Sequence, residues 1–163
     1  MPKVFELFFM EDEERKGEIL LARLLHYFDS TPNYVLSGYI VKILMNLMVG
    51  NAPRVLEYLF KNGKIMKMPY FLESVSIADF LLRIVVVEDL LLNNKIKERI
   101  ELFHIIVDIY GDNRESTEIL ENANYFLTES IVRLWSHKHK ELGRFSTEIF
   151  RVVEMIIDKV LFQ

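Results

Sequence analysis

Residues 74–92 read SVSIADFLLRIVVVEDLLL, and this apolar stretch determines the expected fold. Ser76, with Asp79 three residues later, resembles a capping box, which predicts a helix start ahead of the apolar run. Apolar side chains then recur at helical spacing, at Ile77, Phe80, Leu81, Ile84 and Val85. They cover nearly the whole circumference, so the pattern predicts a central helix over Ser76–Leu92 that neighbouring elements cover on most sides.

The three valines at positions 85–87 leave a second interpretation open, because short runs of this kind also form buried strands. The length of the whole pattern favours a helix. A membrane span is excluded for this stretch, because Arg83, Glu88 and Asp89 interrupt it before the roughly 20 apolar residues that a span requires.

Two polar residues, Asp79 and Arg83, stand in the middle of this apolar helix. They lie four positions apart with the acid first, which is the favourable order on a helix face. A buried or half-buried pair of this kind is costly unless it is well satisfied. One interpretation is a structural tie between neighbouring helices, and the other is part of a surface that recognises a partner.

Composition limits the class of protein. The chain has 163 residues, of which 51% are hydrophobic and 27% charged, so we expect one folded domain over residues 1–163. The net charge of −4 gives no support for nucleic-acid binding, and the absence of cysteine excludes disulfides and thiol catalysis. The N-terminus lacks the features of a signal peptide, which predicts a cytoplasmic or nuclear protein without a membrane partner.

Helical periodicity continues on both sides of the central stretch. It predicts further helices over about 11–28, 34–49, 51–62, 95–110 and 113–135, and a last one from Ser146. Asn51 is the predicted cap of the third of these, with Pro53 in its first turn. The alternation of helix and short turn repeats about every forty residues, which indicates an all-α superhelix of stacked hairpins, HEAT- or armadillo-like, with seven to nine helices. A closed bundle is the competing architecture.

No pattern of catalytic residues emerges. The sequence contains no phosphate-binding, dinucleotide-binding, zinc-protease or serine-hydrolase motif, so we expect no catalytic site, no cofactor, no metal and no small-molecule substrate. His26 and His104 are interpreted as partly buried structural residues. His137 and His139 lie in a polar loop and form only a weak metal-binding pattern. An enzyme with a site assembled from scattered Asp, Glu and His residues stays open as an alternative.

Five stretches resemble, in the same order, the SAPS-domain family. Ser74–Arg83 resembles the most recognisable part of that family, a Ser/Thr-led turn into Asp-Leu-Leu-Leu-Arg. The other four are Pro32–Ile43, Arg54–Leu59, Asp112–Arg114 and Asn122–Leu134. The order agrees over about residues 15–135. The chain departs from the pattern at Gly38, where the family has a larger residue, and at Glu73, where it has glycine.

Members of that family are regulatory subunits of type-six serine/threonine protein phosphatases, and their stacked helices grip the catalytic subunit. The resemblance therefore implies a non-catalytic regulatory or scaffold subunit whose partner is such a catalytic subunit. The second helix of each stacked hairpin tends to line the concave face. The polar residues on those helices that also match the resemblance are the predicted partner contacts: Lys42, Asp79, Arg83, Asn122 and Glu129. A general helical adaptor for another protein is the alternative.

Overall fold

A computed structural model describes residues 4–12, 18–86, 95–112 and 115–136, together with the single residues 151, 154 and 158. This part contains six α-helices: α1 Val4–Leu7, α2 Leu20–Leu25, α3 Tyr34–Lys61, α4 Val75–Val86, α5 Ile96–Tyr110 and α6 Thr117–Ser136. Two 3-10 helices, His26–Asp29 and Lys64–Phe71, precede and follow α3. The all-α prediction is confirmed, since extended pairing in the described residues is limited to Glu11–Asp12 against Glu18–Ile19, in antiparallel register.

The predicted central helix is α4. It packs against α3, α6 and the second 3-10 helix, and its core-facing side chains are fully buried: Ile77, Ala78, Phe80, Leu81, Leu82, Ile84 and Val85. Val85 and Val86 are both helical. At Val85, the burial of the side chain outweighs the lower helix propensity of a β-branched residue. The helix begins at Val75, one residue before the predicted cap. The remainder of the predicted range, residues 87–92, lies outside the described residues.

α3 is bent at Asn51, whose backbone is non-helical with φ −160° and ψ 71°. The Asn51 Oδ1 atom accepts a hydrogen bond from the Arg54 amide at 3.3 Å, and Pro53 occupies the first turn after it. The sequence prediction of two helices separated by an Asn51 cap is therefore confirmed. By length and composition alone, α3 is also the one helix in the described part that could cross a membrane.

The N-terminal region differs from its prediction. The expected helix over 11–28 is wrong at its start, since Glu11 and Asp12 are extended and α2 begins only at Leu20. The acidic run from Glu11 offers no apolar side chains at helical spacing, so a helix there would have no face to bury. Phe9 is buried instead beneath Arg54, whose guanidinium carbon lies 4.5 Å from the centre of the ring.

Arg99 on α5 is a second correction. The run of charged residues in segment 95–101 is typical of a solvated helix face, and Lys97 and Glu101 are indeed exposed, but Arg99 is buried. Its guanidinium donates a hydrogen bond to the Val85 carbonyl of α4. Burial lowers the pKa of Arg99 to about 10, because desolvation disfavours the charged form.

Two predictions concern the region after α6, of which few residues are described. The last helix was expected from Ser146, and from that region only Arg151, Glu154 and Asp158 are described; all three are helical and exposed. His137 and His139 lie outside the described residues.

Candidate functional site

A groove of about 530 Å³ lies between three elements of the described structure. One wall is the N-terminal part of α3, from Tyr34 to Lys42. The opposite side is the start of α6, with Glu118, Glu121 and Asn122. Residues 73–76, where the chain enters α4, lie between them. The groove is therefore built around the N-terminus of the central helix.

Hydrogen bonds around Tyr27 fix the α3 wall. The Asn33 amide donates to the Tyr27 hydroxyl oxygen at 3.1 Å, and this hydroxyl lies 2.8 Å from both the Asn33 carbonyl and the Ser37 Oγ atom. Asn33 also caps α3, since its Oδ1 atom accepts from the Leu36 amide at 3.0 Å. These bonds set the helix so that Tyr34 and Tyr39 point outward, with exposed fractions of 62% and 63%.

Gly38 gives the groove its depth on this wall. A Cβ atom placed at Gly38 would lie 3.8 Å from the Ser76 Oγ atom, which is an ordinary van der Waals contact. The two helices thus have room for a small side chain here, and glycine leaves that room empty.

Asn122 attaches the α6 wall to the rest of the site. Its Nδ2 atom donates to the Leu72 carbonyl at 2.6 Å and to the Glu73 carbonyl at 3.4 Å. These bonds satisfy backbone acceptors at the turn before α4, so Asn122 has a structural role. Among the described residues its Oδ1 atom has no hydrogen-bond partner, which leaves an acceptor at the groove.

The charged side chains of the groove are unevenly balanced. Glu73, Glu118 and Glu121 contribute three exposed carboxylates, and Lys42 contributes one exposed ammonium group. None of the four forms an ion pair within the described ranges. The groove consequently carries a net negative charge beside its apolar and aromatic surface.

The groove brings together two of the five predicted partner contacts, Lys42 and Asn122. Asp79 and Arg83 lie outside the groove. Together with Val75 they form the exposed side of α4, at intervals of four residues. Glu129 lies further along α6 and accepts a hydrogen bond from Arg133 at 3.4 Å.

Asp79 and Arg83 do not form the ion pair that their spacing favoured. Both are exposed, and no salt bridge joins them in the part of the chain that the structure describes. Asp79 instead accepts a hydrogen bond from the Tyr125 hydroxyl at 2.9 Å, which links α4 to α6. This bond raises the pKa of Tyr125, because it stabilises the neutral phenol and the carboxylate repels a phenolate.

A second charged cluster joins the two 3-10 helices. Lys64 and Lys67 donate to the Asp29 carboxylate, and the His26 Nδ1 atom lies 3.2 Å from it. The lysines hold the pKa of Asp29 far below its ordinary value. His26 and His104 are both exposed, so their interpretation as partly buried residues was wrong. Across the described ranges, no three His, Cys, Asp or Glu side chains come close enough together to hold a metal ion.

Sequence reasoning missed the aromatic and acidic members of the groove. Val35, Tyr39 and Lys42 recur at helical spacing on the side of α3 opposite the buried Val41 and Leu44. An exposed stripe that includes apolar and aromatic side chains, on a helix whose core face is already complete, is a usable signal for a binding surface. Nothing in the local sequence places Glu118 and Glu121 beside it.

Comparison with known proteins finds no matching family model, curated protein or solved structure for this chain.

Proposed function

We propose that this chain is a non-catalytic protein-binding subunit and that the interhelical groove receives its partner. The observation that carries the proposal is the groove itself, where exposed Tyr34 and Tyr39 stand beside exposed charges that have no ion-pair partner among the described residues. Aromatic side chains are enriched in the cores of protein interfaces, and charges near them supply orientation and specificity.

The finer proposal names the partner as the catalytic subunit of a type-six serine/threonine phosphatase. Its support is the co-linear resemblance to the SAPS-domain family, together with the position of Lys42 and Asn122 in the groove. The same resemblance supports a stack of seven to nine helices in hairpins and a cytoplasmic or nuclear location. In this proposal Asp79, Arg83 and Glu129 extend the contact surface from the groove along α4 and α6.

Arg83 is the contact best placed for a partner outside the groove. It is exposed on α4 and has no ion-pair partner within the described residues. An unpaired guanidinium can meet a carboxylate in a bidentate geometry, which gives both energy and direction to an interface.

Capture of a purified type-six catalytic subunit by the full chain tests the proposal. We expect the unmutated chain to retain the catalytic subunit and Tyr39→Ala to weaken retention, because the substitution removes an exposed aromatic side chain from the groove. Tyr70→Ala is the matched control, since Tyr70 is exposed to a similar extent but lies on the second 3-10 helix and does not line the groove. Failure of the unmutated chain to bind would remove the phosphatase assignment.

A helical adaptor for another protein is the second candidate, because the groove is independent of the family resemblance. It is favoured if Tyr39→Ala disrupts a different complex isolated from cells while no phosphatase is present. Catalysis is tested separately: the purified chain with added manganese should leave phosphopeptides intact. Turnover that disappears on mutation of one carboxylate or histidine would instead support an enzyme.

A further inference from the structure

The charges of the groove point to the chemistry of its partner. We propose that the groove selects a short protein segment in which lysine or arginine side chains alternate with apolar ones. This inference depends on the proposed protein-binding function, but it does not depend on the partner being a phosphatase.

The acidic side of the site is formed by two neighbouring residues of one helix. Glu118 and Glu121 are three positions apart on α6, so their carboxylates lie on the same face. Both line the groove and both are exposed, and Glu73 adds a third carboxylate from the turn before α4. A partner segment that places cationic groups here would meet charges that no described residue of this chain already neutralises.

The apolar side of the site faces these carboxylates from α3 and the start of α4. Tyr34, Val35, Tyr39 and Val75 all line the groove, and Val75 has an exposed fraction of 54%. Solvent contact with apolar groups is unfavourable, so covering these side chains would contribute to binding. A guanidinium or ammonium group can also lie over a tyrosine ring, which adds a cation–π attraction next to the acidic wall.

The size and charge of the groove narrow the class of occupant. Its volume of about 530 Å³ suits a few side chains of a protein segment. Nucleic acids and anionic membranes both present phosphate groups, and a surface with three carboxylates and a single lysine repels them. Gly38 lines the groove without a side chain of its own, so the α3 backbone is accessible to a partner there.

Selection of peptides against the full chain tests this inference. A random library of 12-residue displayed peptides is the probe, and the enriched peptides are synthesised and their Kd values measured by fluorescence anisotropy. We expect Lys or Arg to be enriched together with Leu, Ile, Val or Phe. We expect Glu118→Gln combined with Glu121→Gln to weaken binding about three- to tenfold, the range for two exposed charge pairs.

Two further variants locate the peptide. Glu101→Gln removes an equally exposed carboxylate from α5 and should leave the Kd within twofold. Gly38→Phe should abolish binding by filling the floor of the groove, provided that circular dichroism shows an unchanged fold. If Gly38→Phe does not fold, the double glutamine variant alone decides the outcome, since it changes neither side-chain shape nor the backbone.

Several results would overturn the inference: enrichment of acidic peptides, enrichment of no peptide, an unchanged Kd in the double variant, or groove-dependent binding to phosphatidylserine vesicles. None of these results bears on the proposal that the partner is a phosphatase catalytic subunit. Loss of that assignment requires failure to capture the catalytic subunit, which these peptide measurements do not involve.

Discussion

The Tyr125 hydroxyl donates a hydrogen bond to the Asp79 carboxylate at 2.9 Å and so connects α6 to the exposed edge of the central helix. The spacing of Asp79 and Arg83 suggested a pair within one helix, but the carboxylate is used between two helices. Arg83 is left exposed to solvent. One residue of the expected pair therefore has a structural role, and the other is available for recognition.

Tyr125→Phe removes only the hydroxyl from this contact. We expect the free energy of unfolding to fall by about 0.5–1 kcal/mol, at the low end for a hydrogen bond because the pair is accessible to solvent. Urea denaturation measures the change. Phe substitution at Tyr70, an exposed residue of the second 3-10 helix with no side-chain hydrogen bond among the described residues, is the control and should alter stability less. An equal effect at both positions would contradict a special role for Tyr125.

Alkaline pH should act on the same bond. The folded pKa of Tyr125 is raised above the ordinary value of 10.0, so its contribution to stability is fully present below that pH. The contribution is lost as the pH rises through the folded pKa. Tyrosinate absorbance near 295 nm should show one late-titrating group that is missing from Tyr125→Phe. If both proteins gave titration curves of the same shape, the late-titrating group would not be Tyr125.

Arg83→Glu distinguishes the two roles considered for Arg83. Because Arg83 is exposed, we expect the melting temperature to stay nearly unchanged, with a cost of at most about 0.5 kcal/mol from placing a second carboxylate four residues after Asp79. If Arg83 contacts the partner, capture of the type-six catalytic subunit should weaken in the same variant. A loss of about 3–5 kcal/mol would indicate instead that a buried ion pair had been broken.

Gly38→Ala and Gly63→Ala should have opposite effects on stability. Gly38 is helical and has room for a Cβ atom, so alanine should stabilise the protein by about 0.5–1 kcal/mol. Gly63 also has open space, but its φ of 63° is left-handed, so alanine there should cost about 1–2 kcal/mol. Thermal denaturation of both variants tests the pair. A shift of the same sign at both positions would contradict the backbone geometry.

Asp29→Asn should weaken the connection between the two 3-10 helices at neutral pH. Because the lysines lower the folded pKa of Asp29 below its ordinary value of 3.8, the stabilisation is present above that pH and is lost as the pH falls through the folded pKa. The melting temperatures of the variant and the unmutated protein should therefore differ at pH 7 and converge towards pH 2. Glu57→Gln, at an exposed position of α3, should show no such convergence.

Burial patterns explain which parts of the fold were predictable. The apolar run of α4 and the Asn51–Pro53 cap are local sequence patterns. The first correctly predicted a central helix, and the second correctly predicted a break in the helix at Asn51. Arg99 was missed because its burial depends on an acceptor at Val85, fourteen positions away in the chain. The groove has the same property, since its acidic wall on α6 meets α3 only after folding. Local sequence indicates that a face is apolar, but it does not indicate what stands opposite.

The bend at Asn51 has a consequence for how α3 opens. A non-helical residue interrupts the ladder of i to i−4 hydrogen bonds, so the two arms of α3 can lose their bonds independently. The arm after the bend buries Val55 and Leu59 completely, whereas the arm before it buries Leu44 on one side and carries the exposed groove wall on the other. Amide hydrogens at 38–48 should therefore exchange with deuterium sooner than those at 55–61. Earlier exchange of the first arm would show that the groove wall of α3 opens separately from the segment after the bend.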